Sequence, residues 1–153
     1  MTHLQDNDWV TLDGKPIPDI TSHVRSLAGD DRYTLHVGTD SKQFTEYTII
    51  TTAICFREPG HGVIVAYQRQ KINNYGSVYE RLIQETLASL AVAEFISTIS
   101  GISPTVHADV NIKEEALSNR VLSTIMGMVK GMGYPVVVKP DAWAADIADM
   151  FTR

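Results

Sequence analysis

Between Tyr33 and Ile72 the chain holds three strand-length stretches rich in β-branched and aromatic residues, with only two short breaks between them. They read as strands over Tyr33–Asp40, Tyr47–Arg57 and Gly62–Ile72, and Glu58-Pro59-Gly60 is a turn signal between the last two. Connections this short join antiparallel neighbours, because a parallel return needs a crossover of a dozen residues or more. Three consecutive antiparallel strands are therefore expected. Few folds then continue as this chain does.

After Ile72 the pattern changes to alternating helices and strands. Ser77-Val78-Tyr79-Glu80 is a capping box, opening a helix to about Ser97 with Leu82, Ile83, Leu87, Leu90 and Phe95 as its apolar stripe. A short strand is predicted over Thr105–Val110. A second helix, capped by Asn111 with Glu114 in the box position, runs to about Met132, and Gly133 suits its exit. Tyr134–Lys139 reads as a fifth strand, apolar enough to be covered on both faces. Pro140-Asp141 starts a last helix with Asp141 as N-cap. The fold class is α/β: a mixed five-stranded sheet of three antiparallel strands, then parallel β-α-β-α-β-α, with helices on both faces. Residues 1–32 read as a polar, turn-rich extension with a short helix from Ile20 to Ala28, and residues 33–153 as one domain. A length of 153 residues suits one core and is short for two.

The net charge of −5 argues against a protein that coats nucleic acid by bulk electrostatics, but permits an enzyme gripping a few phosphates through local cations and a metal. No run of about 18 apolar residues predicts a membrane span, and MTHLQDNDW does not resemble a signal peptide. The lone Cys55, in a strand, reads as a small buried side chain in a reducing cytoplasm.

Function is carried by the acids. Side chains alternate along a strand, so His36, Gly38 and Asp40 share a face, as do His107 and Asp109. If the two strands are parallel neighbours, Asp40 and Asp109 emerge together at their carboxyl ends, the edge where α/β sheets place ligand sites. Two carboxylates so close repel, and a Mg²⁺ or Mn²⁺ ion removes the penalty because those ions select hard oxygen ligands. Glu85 lies on a helix face with small residues (Ala88, Ser89, Ala93) that permits close approach to a sheet, so it is expected to point inward. Glu80 is explained by its capping box. Asp146 and Asp149, three apart, share one face of the last helix. His36 and His107 read as structural.

GTDSK, RLIQETLASLAVAE, VHADVN and KPDAWAADIAD, in that order, resemble the ribonuclease H-like superfamily, and more narrowly its small bacterial YkuK-type family. The resemblance covers roughly residues 33 to 153. It implies a metal-dependent nuclease acting on RNA, RNA–DNA hybrid or DNA with two Mg²⁺ or Mn²⁺ ions, leaving a 5′ phosphate. It makes Asp40 the bridging ligand, Glu85 and Asp109 ligands of one ion and Asp149 of the other, with Asp146 as the second choice for that last place. Lys42, Arg69 and Lys71 are candidate phosphate contacts, with Lys113 and Arg120 further along the same groove, and Tyr75 a possible base-stacking residue. The competing expectations are a non-catalytic nucleic-acid-binding or scaffold module that keeps the fold, and hydrolysis of a small phosphoester by the same ions. Neither membrane association nor a particular oligomer is implied.

Overall fold

The structure, a computed structural model, describes residues 9–111 and 116–152. Its elements run β1 (Trp9–Thr11), α1 (Ile20–Ala28), β2 (Thr34–Gln43), β3 (Thr48–Glu58), β4 (Gly62–Ile72), α2 (Val78–Ser100), β5 (Thr105–Asn111), α3 (Ala116–Gly131), β6 (Val136–Lys139) and α4 (Trp143–Asp149). One sheet holds all the strands in the order β1-β4-β3-β2-β5-β6. The pairs β1/β4, β4/β3 and β3/β2 are antiparallel, while β2/β5 and β5/β6 are parallel. The expected mixed α/β sheet is present with one strand more than the five predicted.

The added strand is β1. Three residues are too few to show a period of two, and the surrounding polar residues hide it. Trp9 is nonetheless fully buried, in a cluster with Ile20, Val24, Ile54, Phe56 and Ile96, and its backbone pairs with Gln68 on the β4 edge. Burying a side chain of that size is worth several kcal/mol, on the order of 3, enough to pin a short strand. At the other edge β6 begins at Val136 and its residues are half-buried, not covered on both faces as expected. It has a neighbour on one side only, so its apolar run is shared between α3 and the surface.

Alternation along the strands divides the two faces. Leu35, Val37, Ile54 and Phe56 face α1 and α2, whereas Ala53, Cys55 and Val65 pack with Ala144 and Ala148 of α4. Cys55 is wholly buried, and that burial pushes its thiol up to about 12, consistent with a filler and not a nucleophile.

The face that α2 buries differs from its apolar stripe. Glu85, Thr86, Ser89, Leu90, Val92, Ala93 and Ile96 are buried, while Leu87 is exposed. Thr39 Oγ1 lies 2.6 Å from Ser89 Oγ and 3.1 Å from Thr52 Oγ1, so small hydroxyls joined to one another let the helix lie close to β2 and β3. By length and composition α2 would suffice to cross a membrane; here it is the central helix against the sheet. Its start keeps half of the capping box: Ser77 Oγ accepts from the Glu80 amide, while Glu80 Oε2 accepts at 2.8 Å from the amide of Gly76, one residue before the cap. Asn111, expected to cap the second helix, is the last residue of β5, while Glu114 and Lys113 lie outside the described residues. The cap expected at Asp141 is absent: Ala142 takes that position, and the Asp141 amide closes a turn onto Val138 O.

Candidate active site

Strands β2 and β5 are paired through Gly38 and His107. Asp40 and Asp109 each lie two residues further on, where the strands no longer pair, and the opening admits a side chain from the helix beneath. Glu85 of α2 fills it. Carboxylate oxygens of Asp40, Glu85 and Asp109 all lie within 4.8 Å of one another. The pairing of β5 with β6 is irregular between Ala108 and Asn111, which sets Asp109 apart from the regular ladder. Such irregularities commonly re-aim a side chain beside a site.

Each acid is held by its own surroundings. Ser41, on the α2 side of β2 by alternation, donates to Glu85 Oε2 at 2.6 Å. The other oxygen, Oε1, is buried without a hydrogen-bond partner. Glu85 and Asp109, with Thr39 and Ser89 behind them, border a cavity of about 10 Å³, roughly the room one water needs. On β6, Lys139 Nζ lies 2.7 Å from Asp109 Oδ1. The fourth acid, Asp149, reaches Asp40 closely enough for the two carboxyls to share a hydrogen bond.

The electrostatics follow from crowding acids under little solvent. Burial raises Asp40 to about 9, helped by its hydrogen bond to Asp149 and by the charges of Glu85 and Asp109. Burial likewise raises Glu85, against the opposing effects of the Ser41 hydroxyl and the Arg81 charge. Without a cation the cluster keeps protons that isolated carboxyls would have lost. An orphaned carboxylate oxygen, hard ligands and a repulsion that the single charge of Lys139 offsets only in part all suit a divalent ion.

A pH dependence follows. Above about pH 7, His36 and His107 are largely neutral in both states, since burial lowers them to about 4 and about 3 in the folded chain and the ordinary value of 6.5 already lies below that pH in the unfolded one. Asp40 keeps its proton in the folded state up to about 9 and has lost it in the unfolded state. The folded state therefore binds more protons, and stability falls as pH rises. Urea midpoints of metal-free protein should decline from about pH 7 to about pH 9, and Mn²⁺ should reverse the trend. A flat or rising metal-free profile would contradict burial-raised acids.

Helix α4 is fixed to the sheet at three places, and that fixes Asp149. At its start the Ala144 amide donates to His107 Nδ1 at 3.2 Å. His107 Nε2 then donates to His36 Nδ1 at 2.9 Å, and His36 Nε2 to Thr34 Oγ1 at 2.8 Å; this direction is set by the amide, which can only donate. Trp143 packs against both imidazoles, with ring centroids 4.6 Å and 4.8 Å away. Within the same first turn, α4 lies directly on Gly38, where a Cβ would come within 2.3 Å of Ala144 C and Ala145 N. At its end, Thr51 Oγ1 donates to Phe151 O, and Phe151 stacks on Tyr67 with centroids 4.0 Å apart. The two histidines are thus structural.

Of the acids expected from sequence, Asp40, Glu85 and Asp109 come together; Asp149 and Asp146 are both exposed, the first adjoining Asp40 and the second within electrostatic reach of Lys139. Lys42, Arg69 and Lys71 are exposed on the Asp40 side of the sheet. Cross-strand register sets Asp40, Thr51 and Arg69 in one row and Lys42, Ile49 and Lys71 in the next of that face. Lys42 and Lys71 lie over Phe44 and Tyr47, which stack on each other. Arg120 is exposed on α3, and Tyr75 is half-buried near Glu85. Sequence reading missed Ser41, Gly38 and Lys139. Ser41 was within reach of it, since alternation in GTDSK turns Ser41 toward the helix that carries Glu85.

Residues 17–153 match the family model described as Ribonuclease H-like. The Uncharacterized protein YkuK of Bacillus subtilis (strain 168) is 25% identical over an alignment spanning 88% of this chain and 90% of that protein. The crystal structure of RNase H1 from the halophilic archaeon Halobacterium salinarum NRC-1 superposes on 76% of this chain and 92% of its own, at 15% identity and a TM-score of 0.45.

Proposed function

This chain belongs to the ribonuclease H-like family, and from that premise we propose that it is a metal-dependent nuclease hydrolysing phosphodiester bonds of RNA, RNA–DNA hybrid or DNA. The observation that carries the reading is the meeting of Asp40, Glu85 and Asp109 within 4.8 Å around a buried, unpartnered Glu85 oxygen. Two Mg²⁺ or Mn²⁺ ions held there would supply an activated water and charge neutralisation of the departing 3′ oxygen. Asp40 is near Glu85 and Asp109 and adjoins Asp149, so it is the residue that would serve both ions. Glu85 and Asp109 would complete one site, and Asp149 the other. Asp149, which adjoins Asp40, suits that last role better than Asp146.

Neighbouring residues would position the carboxylates and the substrate. Ser41 holds Glu85 in place by its hydrogen bond. Lys42, Arg69 and Lys71 share the sheet face of Asp40, so a phosphate backbone crossing the carboxylates meets these cations on one side. A local cationic patch of this kind lets a chain of net charge −5 bind a polyanion.

The test is direct. End-labelled RNA, RNA–DNA hybrid, single-stranded DNA and duplex DNA are incubated with purified protein and Mn²⁺ or Mg²⁺. The expected result is cleavage of at least one polymer, blocked by EDTA and leaving 5′ phosphate ends. Metal-induced stabilisation with no cleavage of any polymer would favour the scaffold reading, and turnover of small phosphoesters alone the third.

A further inference from the structure

Lys139 is a cation inside an acidic cluster, and although it opens the segment KPDAWAADIAD, the sequence assigned it no role. It is the last residue of β6, the parallel neighbour of β5. Its Nζ is 2.7 Å from Asp109 Oδ1, a direct ion pair in which the Asp109 side chain is 14% exposed and that of Lys139 is 44% exposed. Asp40 and Asp146 are the other acids whose charges it feels.

We infer that Lys139 is the built-in counter-ion of the carboxylate cluster and competes with a divalent ion for Asp109. This rests on the metal-dependent reading above. An ammonium at hydrogen-bonding distance takes up a lone pair of Oδ1 and brings a positive charge beside the position an ion at Asp109 would occupy. The two cations repel, and both draw on the same carboxylate. Asp109 is mostly buried and anchored in its strand, whereas the lysine stem is flexible and half in solvent. Lys139 is therefore the partner that moves. Without metal it keeps Asp109 in charge balance; with metal bound it is released on the open side of the site, where a substrate phosphate would lie. The acids thus carry a compensating charge at all times, and free-protein metal affinity is held down until the lysine has another anion to pair with.

The experiment is calorimetric titration of Mn²⁺ into substrate-free protein, with folding of every variant checked by circular dichroism. Lys139→Met and Lys139→Gln should each lower the Mn²⁺ Kd by about five- to tenfold, the size expected from removing one partly screened charge beside the ion. Lys139→Arg keeps the charge and should bind as the wild type does. Thermal midpoints in EDTA should fall for the Met and Gln variants and recover with Mn²⁺. Unchanged or weaker Mn²⁺ binding by both neutral variants would overturn the competition while leaving the metal site intact. Failure of wild type and variants alike to take up Mn²⁺ would overturn the metal-dependent reading itself, and this inference with it.

Discussion

Asp40→Asn should lower Mn²⁺-dependent cleavage by on the order of 10³-fold while making the metal-free protein more stable at pH 8. The two effects have one cause. Asp40 is buried, touches Asp149, and is repelled by Glu85 and Asp109, so burial and its neighbours hold its carboxyl far above the ordinary range. At pH 8 that proton must be held against solution conditions, which costs folding free energy. Asparagine keeps the shape and needs no proton. It also removes the oxygen charge that would serve both ions, and an amide is a far poorer ligand for Mg²⁺ or Mn²⁺ than a carboxylate. Activity on the cleaved polymer and thermal midpoints in EDTA, measured on the same preparations, check the pair. A variant that loses activity by unfolding would lose both together. Retained cleavage would remove Asp40 from the centre of the site.

Gly38→Ala should destabilise the protein by about 3 kcal/mol and weaken Mn²⁺ binding, although Gly38 carries no ligand atom. The added Cβ would stand 2.3 Å from Ala144 C and Ala145 N and 2.7 Å from Ala144 O. All three are backbone atoms, which cannot rotate away as a side chain could. Either β2 bends or α4 lifts, and α4 carries the Asp149 that adjoins Asp40. Gly127→Ala is the matched control: it lies in α3, nothing stands within 4 Å of its Cβ position, and a helical Gly→Ala change should stabilise by roughly 0.5–1 kcal/mol. Urea unfolding of both variants measures the contrast. A well-folded Gly38→Ala protein with normal Mn²⁺ affinity would show that the close approach of α4 does not set the site.

Much of the site was legible because local rules carry over into tertiary structure. Period-two alternation put Asp40 and Asp109 on defined faces, and the short turns made β2, β3 and β4 an antiparallel run, leaving a crossover to set β5 beside β2. Glu85 was marked by small residues around it, and of these Ser89 meets Thr39 of β2 and Ala93 clusters with Val106 of β5. The helix also shows where such rules fail. Its apolar stripe predicted a buried Leu87, yet Leu87 is exposed and Thr86 and Ser89 are buried. Near the carboxylates the helix buries polar groups because they form hydrogen bonds there, and periodicity of apolar residues does not register that. β1 was missed because three residues hold no period, and Asp141 was misread as a cap because the turn from β6 used its backbone first.

The order of the elements after β1, the faces of the strands and the three acids that come together were therefore legible in the sequence, since each depends on residues close together in the chain. Three things were decided only by the tertiary structure: which helical aspartate adjoins Asp40, how near α4 approaches Gly38, and that Lys139 pairs with Asp109. Each depends on where one element stops against another, to within an ångström or two. That distance is set by packing between residues far apart in sequence, which no local pattern encodes.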